Sequence, residues 1–374
     1  MALLRPITGA LLAGIVITAH LALVKQAEWN GTFNLHSLLT YTTRTLPNTA
    51  IPIRLPSTNL PQLDNYFAFM TSFFWTTLDA RNVRAHWAGN HLLGTLSSIW
   101  LVMLAEVNGE GSGLVAWTFA AELLGEFFGI GVFTGVWGVG HLLFSRKDSG
   151  KGKENLRALG WGLVLGHVVP TVLMLRLKPD GEGFWASQQI WTVARLFHPV
   201  FLAGFWTVFK AVLPSAGGAA GGSAVGSRRT FYVFSILASA FFHVTSLGFL
   251  LAPEMFPGWL DPAVSKALDP ATVLIPTPFW SEAVVQKVDF ETGVAVFLQW
   301  DYLCSAAAIV VWATAMYLEA VAGNKAVKKG GLELVVQTLG VGVLAGPGAA
   351  AAFLMLERDG VGAEAEVIGE KKTL

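Results

Sequence analysis

Charge is what this chain has least of. Only 13% of its 374 residues are Asp, Glu, Lys or Arg, where a soluble domain carries about a quarter. So little charge leaves too little polar surface to face water, and lipid is the expected solvent for most of the exterior. The charges that exist cancel, 25 basic against 25 acidic, so no basic field marks a nucleic-acid partner. Cysteine is reduced to Cys304, inside an apolar run, which excludes a disulfide framework. There is no DDxxD or NDxxD pair to hold a Mg²⁺-bound diphosphate. Prenyltransferases and ionisation-type terpene synthases are therefore disfavoured. The HxxxH and HxxHH boxes of membrane di-iron enzymes are missing, as are a heme-thiolate loop, a G-x-S-x-G elbow and a Walker A loop. No internal repeat suggests an inverted-repeat transporter. These absences leave no expected metal or other cofactor.

Apolar residues take the place of charge. They make up 53% of the chain, the mean hydropathy is +0.54, and there are 14 tryptophans, some expected in interfacial belts. A bilayer core needs about 20 apolar residues in a helix. Nine stretches qualify: 7–24, 62–79, 88–107, 113–144, 157–177, 186–210, 230–252, 292–319 and 333–356. The second is the weakest, since it opens with Asp64 and Asn65, and re-entry is an alternative. The fourth is long enough to tilt or to break at Gly129 or Gly131. The fold class expected is all-α, a polytopic transmembrane helical bundle of eight or nine spans. It forms one domain over 1–356, with long luminal loops 25–61 and 253–291 and a polar tail 357–374 showing no sign of a fold.

The first stretch reads as an uncleaved signal anchor, because no clear small-residue cleavage site follows it. The loops set the orientation. Arg81 and Arg84, then Arg146, Lys147, Lys151 and Lys153, then Lys210, Arg228 and Arg229, then Lys325, Lys328 and Lys329 fall on alternate loops. The positive-inside rule puts these loops, and the N-terminus, in the cytosol. The Gly/Ser/Ala-rich stretch 215–226 is then a flexible cytosolic linker. The acidic loop 253–291 and the sequon at Asn30 are luminal, and the endoplasmic reticulum is the expected location. Loop 25–61 also holds Lys25, Arg44 and Arg54, against the pattern.

A charge at the bilayer centre costs at least about 2.5–3.5 kcal/mol. Glu122, Glu126, His167, Arg195, His198, His243 and Asp301 therefore stand out. With the orientation above, Glu122, His167, Arg195, His243 and Asp301 fall roughly 13–15 Å below the luminal boundary at the helical rise, which predicts one shared cavity near the midplane. Glu122 and Glu126 share a helix face beside Gly125 and Gly129. Gln188, Trp191, Arg195 and His198 form a second stripe, and Asp301 shares a face with Phe297 and Cys304, with Trp300 and Tyr302 flanking it. Structural roles compete with functional ones: one of the two glutamates can bridge to Arg195, Asp301 can accept from a nearby Trp or Tyr, and His167 and His243 more often serve packing. Of the glutamates, Glu126 is expected to pair with Arg195 and Glu122 to stay free. His91 and His141 are expected at the cytosolic interface, and Glu106 and Asp79 at exposed span ends.

Burial disfavours the ionised form of a carboxyl group, so a buried one can act as a general acid. Aromatic faces stabilise a developing cation. Together these suit protonation of an epoxide or alkene in a lipophilic polyene, followed by cyclisation. Asp301, Glu122 and Glu126 are the candidate catalytic groups, in that order. Trp300, Tyr302, Trp191, Arg195, His198, His243 and His167 are candidate substrate-binding residues. The expected partners are a lipophilic small molecule and the bilayer, with no obligate protein partner.

The stretch Gln299-Trp300-Asp301-Tyr302-Leu303-Cys304-Ser305, continuing through Trp312 to Tyr317-Leu318-Glu319, resembles the last conserved-type helix of a group of fungal membrane terpene cyclases. These serve meroterpenoid pathways of the ascochlorin and ascofuranone kind. The segment Leu60-Pro61-Gln62-Leu63-Asp64, running into Phe73-Phe74, resembles their second span. The resemblance implies a metal-independent enzyme that cyclises a farnesylated, often epoxidised, aromatic substrate. It implies a role for Asp301; Glu122 and Glu126 rest on depth alone. A sterol-isomerase-like enzyme, or a proton-coupled transporter or other non-enzymatic membrane protein, would use the same buried carboxyls.

Overall fold

The computed structural model describes residues 3–34, 42–108, 112–145, 155–175, 182–213, 224–281, 288–323 and 331–373. Among them helix is the only regular secondary structure, apart from an isolated bridge between Thr45 and Pro52. In chain order, α1 runs Leu4–Trp29 with a π-turn at Leu21–Lys25. Next come α2 (Pro61–Leu78), α3 (Val83–Val107), α4 (Ser112–Phe128) and α5 (Ile130–Phe144). A second π-turn, Val164–Val168, interrupts α6 (Leu156–Met174), which leads to α7 (Glu182–Leu196), α8 (His198–Val212) and α9 (Ala224–Met255). Two short helices, α10 (Pro262–Ala267) and α11 (Pro270–Leu274), precede α12 (Phe290–Gly323), α13 (Gly331–Ala345) and α14 (Pro347–Thr373).

Among the described residues five helices are long and apolar enough to cross a membrane, namely α1, α3, α6, the Arg228–Met255 part of α9, and α12; a sixth crossing results if α7 and α8 count as one bent span. Eight or nine spans were expected from nine apolar stretches, and the shortfall has local causes. The fourth stretch breaks at Gly129, where φ is +104°. This leaves α5 with 15 residues, about 22 Å of helix against the ~30 Å of a bilayer core. The sixth bends by 71° between Leu196 and His198, ahead of Pro199. The ninth breaks at Gly346 (φ +88°) before Pro347. Helix α2 has 18 residues but spends several of them on Asp64, Asn65, Thr71, Ser72, Thr76 and Thr77.

The core lies where α3 and α12 meet α5, α9 and α14. Trp100, Ile99, Leu104, Trp312 and Ile309 fill it, against the small-residue run Ala349–Ala352. Helix α14 continues to Thr373, through the segment expected to lack a fold. Arg358 anchors it, bonding Glu106 of α3 at 2.6 Å, so Glu106 is a part-buried ion-pair partner and not an exposed span end. His91 and His141 are buried as well; His141 Nδ1 accepts from Trp312 Nε1 at 3.2 Å. Asn30 is also buried, its Oδ1 accepting from the amide (3.0 Å) and hydroxyl (2.6 Å) of Thr32. Most basic loop residues behind the orientation, and 215–223 of the Gly-rich linker, lie outside the described residues.

Candidate active site

The break at Gly129 organises the site. At a positive φ only glycine is at ease, and a Cβ there would meet Leu23 of α1 at 2.9 Å. The chain turns, and two sets of backbone groups lose their helical partners. Both are satisfied from neighbouring helices. Tyr66 of α2 donates its hydroxyl to the Phe127 carbonyl at 2.8 Å. Asp301 of α12 accepts from the Gly131 amide through Oδ1 at 2.6 Å, and the Ile130 amide bonds the same carboxyl group. Asp301 is therefore an N-cap supplied from another helix. Gly131 permits the approach: a Cβ there would stand 2.8 Å from Cys304 Cβ and 3.1 Å from Asp301 Oδ1.

A cavity of about 450 Å³ opens beside this corner, inside the ~300–1,000 Å³ range of small-molecule sites. Helices α1 to α5, α7 and α12 all contribute to it. Its wall is aromatic: Phe33, Tyr66, Phe69, Phe73, Phe74, Phe127, Phe128 and Phe297 line it, with Met70, Leu92 and Leu96. Phe73 meets Phe297 edge-on at 5.3 Å, and Tyr66 stacks on Phe127 at 5.5 Å. Three ionisable groups interrupt the apolar surface: Asp301, Glu126 and Arg195. Arg195 Nη1 donates to Glu126 Oε2, and both side chains are 1% exposed. The guanidinium lies over Phe74 at 5.9 Å and Trp100 at 5.7 Å. Toward the N-terminal end of α2 the lining becomes polar, with Gln62 and Asn65.

Of the residues singled out from sequence, then, Asp301, Glu126 and Arg195 share the cavity. Arg195 does pair with Glu126. Glu122 lies one turn back on α4, buried, and its two oxygens have no partner among the described residues. His198 and His167 sit behind the wall. Their rings meet at 4.8 Å, Trp100 packs against both at 4.1 Å and 4.9 Å, and His167 bonds Ser97 Oγ at 3.0 Å. His198 Nδ1 reaches the Arg195 carbonyl at 3.2 Å and lies 3.8 Å from Glu126 Oε1. His243 belongs to a third group. Its Nε2 donates to the Val343 carbonyl (3.0 Å), its Nδ1 pairs with His91 Nε2 (3.1 Å), and the His91 ring packs on Tyr302 at 4.5 Å. Trp300 turns toward the loop, donating to the Thr277 carbonyl at 3.0 Å. Trp300, Tyr302, Trp191, His167, His198 and His243 are not among the lining residues.

Equal depth did not mean equal azimuth: residues at one level of different helices point to different sides of each helix. What sequence missed is the contribution of α2 and the role of Tyr66. The available signal was the Tyr66-Phe67 to Phe73-Phe74 aromatic run on the weakest apolar stretch. Among the described residues no three His, Cys, Asp or Glu side chains gather as a metal site would require.

A family model described as the CtvD domain matches residues 8–361, nearly the whole chain. The chain belongs to the CtvD-domain family. Across 82% of its length it is 25% identical to the terpene cyclase sdgD of Emericella nidulans, 82% of which is covered. It is 24% identical to the terpene cyclase janA of Penicillium janthinellum over 95% of this chain and 96% of that one. To the terpene cyclase ascI of Acremonium egyptiacum it is also 24% identical, over 68% and 66%. No solved structure matches.

Proposed function

We propose that the protein is a membrane-embedded terpene cyclase that protonates an epoxide or alkene on a farnesylated aromatic substrate, in a meroterpenoid pathway. The observation that carries this is one aromatic-walled cavity holding two separately fixed carboxyl groups, Asp301 and Glu126. The names of the relatives support the same reaction class.

Asp301 is the acid. With Oδ1 accepting from the Gly131 amide, the proton is assigned to Oδ2. It delivers that proton to the epoxide oxygen, the carbon–oxygen bond opens toward the more substituted carbon, and the chain's double bonds close onto the cation in turn. Phe73, Phe74, Phe297 and Tyr66 present π-faces to the moving positive charge. Glu126, an anion beside Arg195, removes the final proton, which forms the last alkene or lets a ring oxygen close. Atoms balance: one proton enters at Asp301, one leaves at Glu126, and the product is an isomer of the substrate. The aromatic walls exclude water that would otherwise trap the cation as an alcohol.

Microsomes carrying the protein, given an epoxyfarnesyl aromatic compound, should form a cyclised isomer in the presence of EDTA. Activity that vanished with EDTA and returned with Mg²⁺ would rule out acid initiation without a metal. We also place the protein in the endoplasmic reticulum membrane with a cytosolic N-terminus, on the alternation of basic loops. Tags at the N-terminus and within 215–226 should both be removed when protease is added outside intact microsomes; protection of either one reverses that orientation.

A further inference from the structure

Arg195 is the odd member of the cavity. It is fully buried in an apolar wall, where a charge needs good reason, yet Glu126 takes only one of its nitrogens. Nε and Nη2 have no acceptor among the described residues. Nor is the side chain loose: Phe74 and Trp100 lie within 6 Å of the guanidinium carbon, and its helix ends one residue later at the Leu196–His198 bend. A fixed, sandwiched guanidinium with unused donors, lining a cavity, is a recognition device for oxygen.

The charge balance around it narrows the ligand. Arg195 supplies one positive charge, Glu126 answers it, and Glu122 stands one turn away with no partner of its own. His167 and His198 lie behind the guanidinium, His198 on the Glu126 side. An anionic head group would bring further negative charge to a corner that already holds two carboxyl groups. A neutral acceptor meets no such penalty. We propose that Arg195 holds a neutral carbonyl oxygen on the non-isoprenoid head of the substrate, so that this end of the cavity selects carbonyl-bearing rings and turns away carboxylates. This rests on the cyclase reading and names the part of the substrate that reading leaves open. The head is thereby fixed beside Glu126, and the isoprenoid chain lies along the phenylalanines toward Asp301.

The test uses matched ligands with the full-length protein in detergent. Three rings carry the same saturated, unreactive C15 chain: one with a carbonyl, one with a methylene in its place, one with a carboxylate. Binding is read as thermal stabilisation against ligand concentration. The carbonyl compound should bind about ten- to a hundredfold more tightly than the methylene one, as expected for a hydrogen bond to a charged group. The carboxylate should bind no better than the methylene compound. In Arg195→Lys the carbonyl preference should shrink. In Arg195→Met/Glu126→Leu, which removes both charges and avoids an unpaired one, it should disappear. Equal binding of carbonyl and methylene compounds by the wild type overturns the proposal, and so does tighter binding of the carboxylate. With epoxidised versions, loss of the carbonyl should raise KM more than it lowers kcat. Cyclisation without carbonyl preference sinks the anchor and leaves the cyclase standing. Carbonyl-selective binding with no turnover of any epoxide does the reverse.

Discussion

Two helix breaks, at Gly129 and Gly346, pose the same problem inside this molecule and meet different answers. Each has a glycine at positive φ, +104° and +88°, and each strands backbone groups away from water. At Gly346 the freed carbonyls of α13 receive neutral donors from α9: Ser239 Oγ to Ala345 at 2.7 Å and His243 Nε2 to Val343 at 3.0 Å. The surroundings are packed, and a Cβ on Gly348 would run into Ser98 at 2.6 Å. At Gly129 the freed amides of α5 receive a carboxyl group, Asp301, and the break faces a cavity. A helix N-terminus can be capped equally well by neutral Asn or Ser, so capping alone does not require an acid there. Under the proposed mechanism, the comparison separates a break that serves packing from one that positions chemistry. A second Asp cap, Asp269 at the start of α11, bonds the Thr272 amide and hydroxyl at 2.8 and 2.6 Å on an exposed surface.

The largest effect expected from this contrast is at Asp301. Asp301→Asn keeps an acceptor for the Gly131 amide and removes the proton to be donated, so turnover should fall by about 10²–10⁴-fold with little change in thermal unfolding. Asp301→Ala should lose the same activity and, in addition, about 0.5–2 kcal/mol of stability. Normal turnover in Asp301→Asn would reduce Asp301 to a cap, and the two breaks would be equivalent.

Next is the ion pair. Removing one partner of a buried pair strands the other, so Glu126→Leu alone should cost about 3–5 kcal/mol, read by unfolding in detergent. Arg195→Met/Glu126→Leu should recover most of that loss. A single variant as stable as the wild type would mean that the pair is not closed in the membrane.

Gly129→Ala and Gly346→Ala impose similar strain, about 1–3 kcal/mol each. Only the first should reduce turnover beyond its loss of folded protein, because it shifts α5 against Asp301. Equal specific activities in the folded fractions would remove the functional difference between the breaks. Ser239→Ala should cost about 0.5–1.5 kcal/mol and leave turnover per folded molecule unchanged.

The smallest effect concerns Asp269. The Thr272 hydroxyl, then the Thr272 amide, hold its carboxyl below the usual range. Its contribution to the loop is therefore present at neutral pH and is lost only as pH falls through that lowered value. Fluorescence of the neighbouring tryptophans should be flat from pH 7 down to about 5, above the ordinary aspartate value; loosening of the α11 region near pH 6 would contradict the cap.

Sequence composition alone made the all-helical class readable: few charges and long apolar runs suit helices, which satisfy their own backbone hydrogen bonds. The rarity of ionisable residues in those runs made Asp301, Glu126 and Arg195 visible, because each is too costly at depth to be incidental. Even the break at Gly129 was readable as one of two choices. Depth along a helix follows from counting residues, so the level of the polar groups could be read. Direction around the helix axis, and the packing partner met there, could not. Only the tertiary structure decided that Asp301 and Glu126 share a cavity while His167 and His198 sit behind Trp100 and His243 turns to Val343. It also decided that α2, the weakest apolar stretch, supplies much of the aromatic wall. Those outcomes rest on helix rotation, bends and close approach at glycines such as Gly131. Each is fixed by residues far apart in the chain, and no local pattern records them.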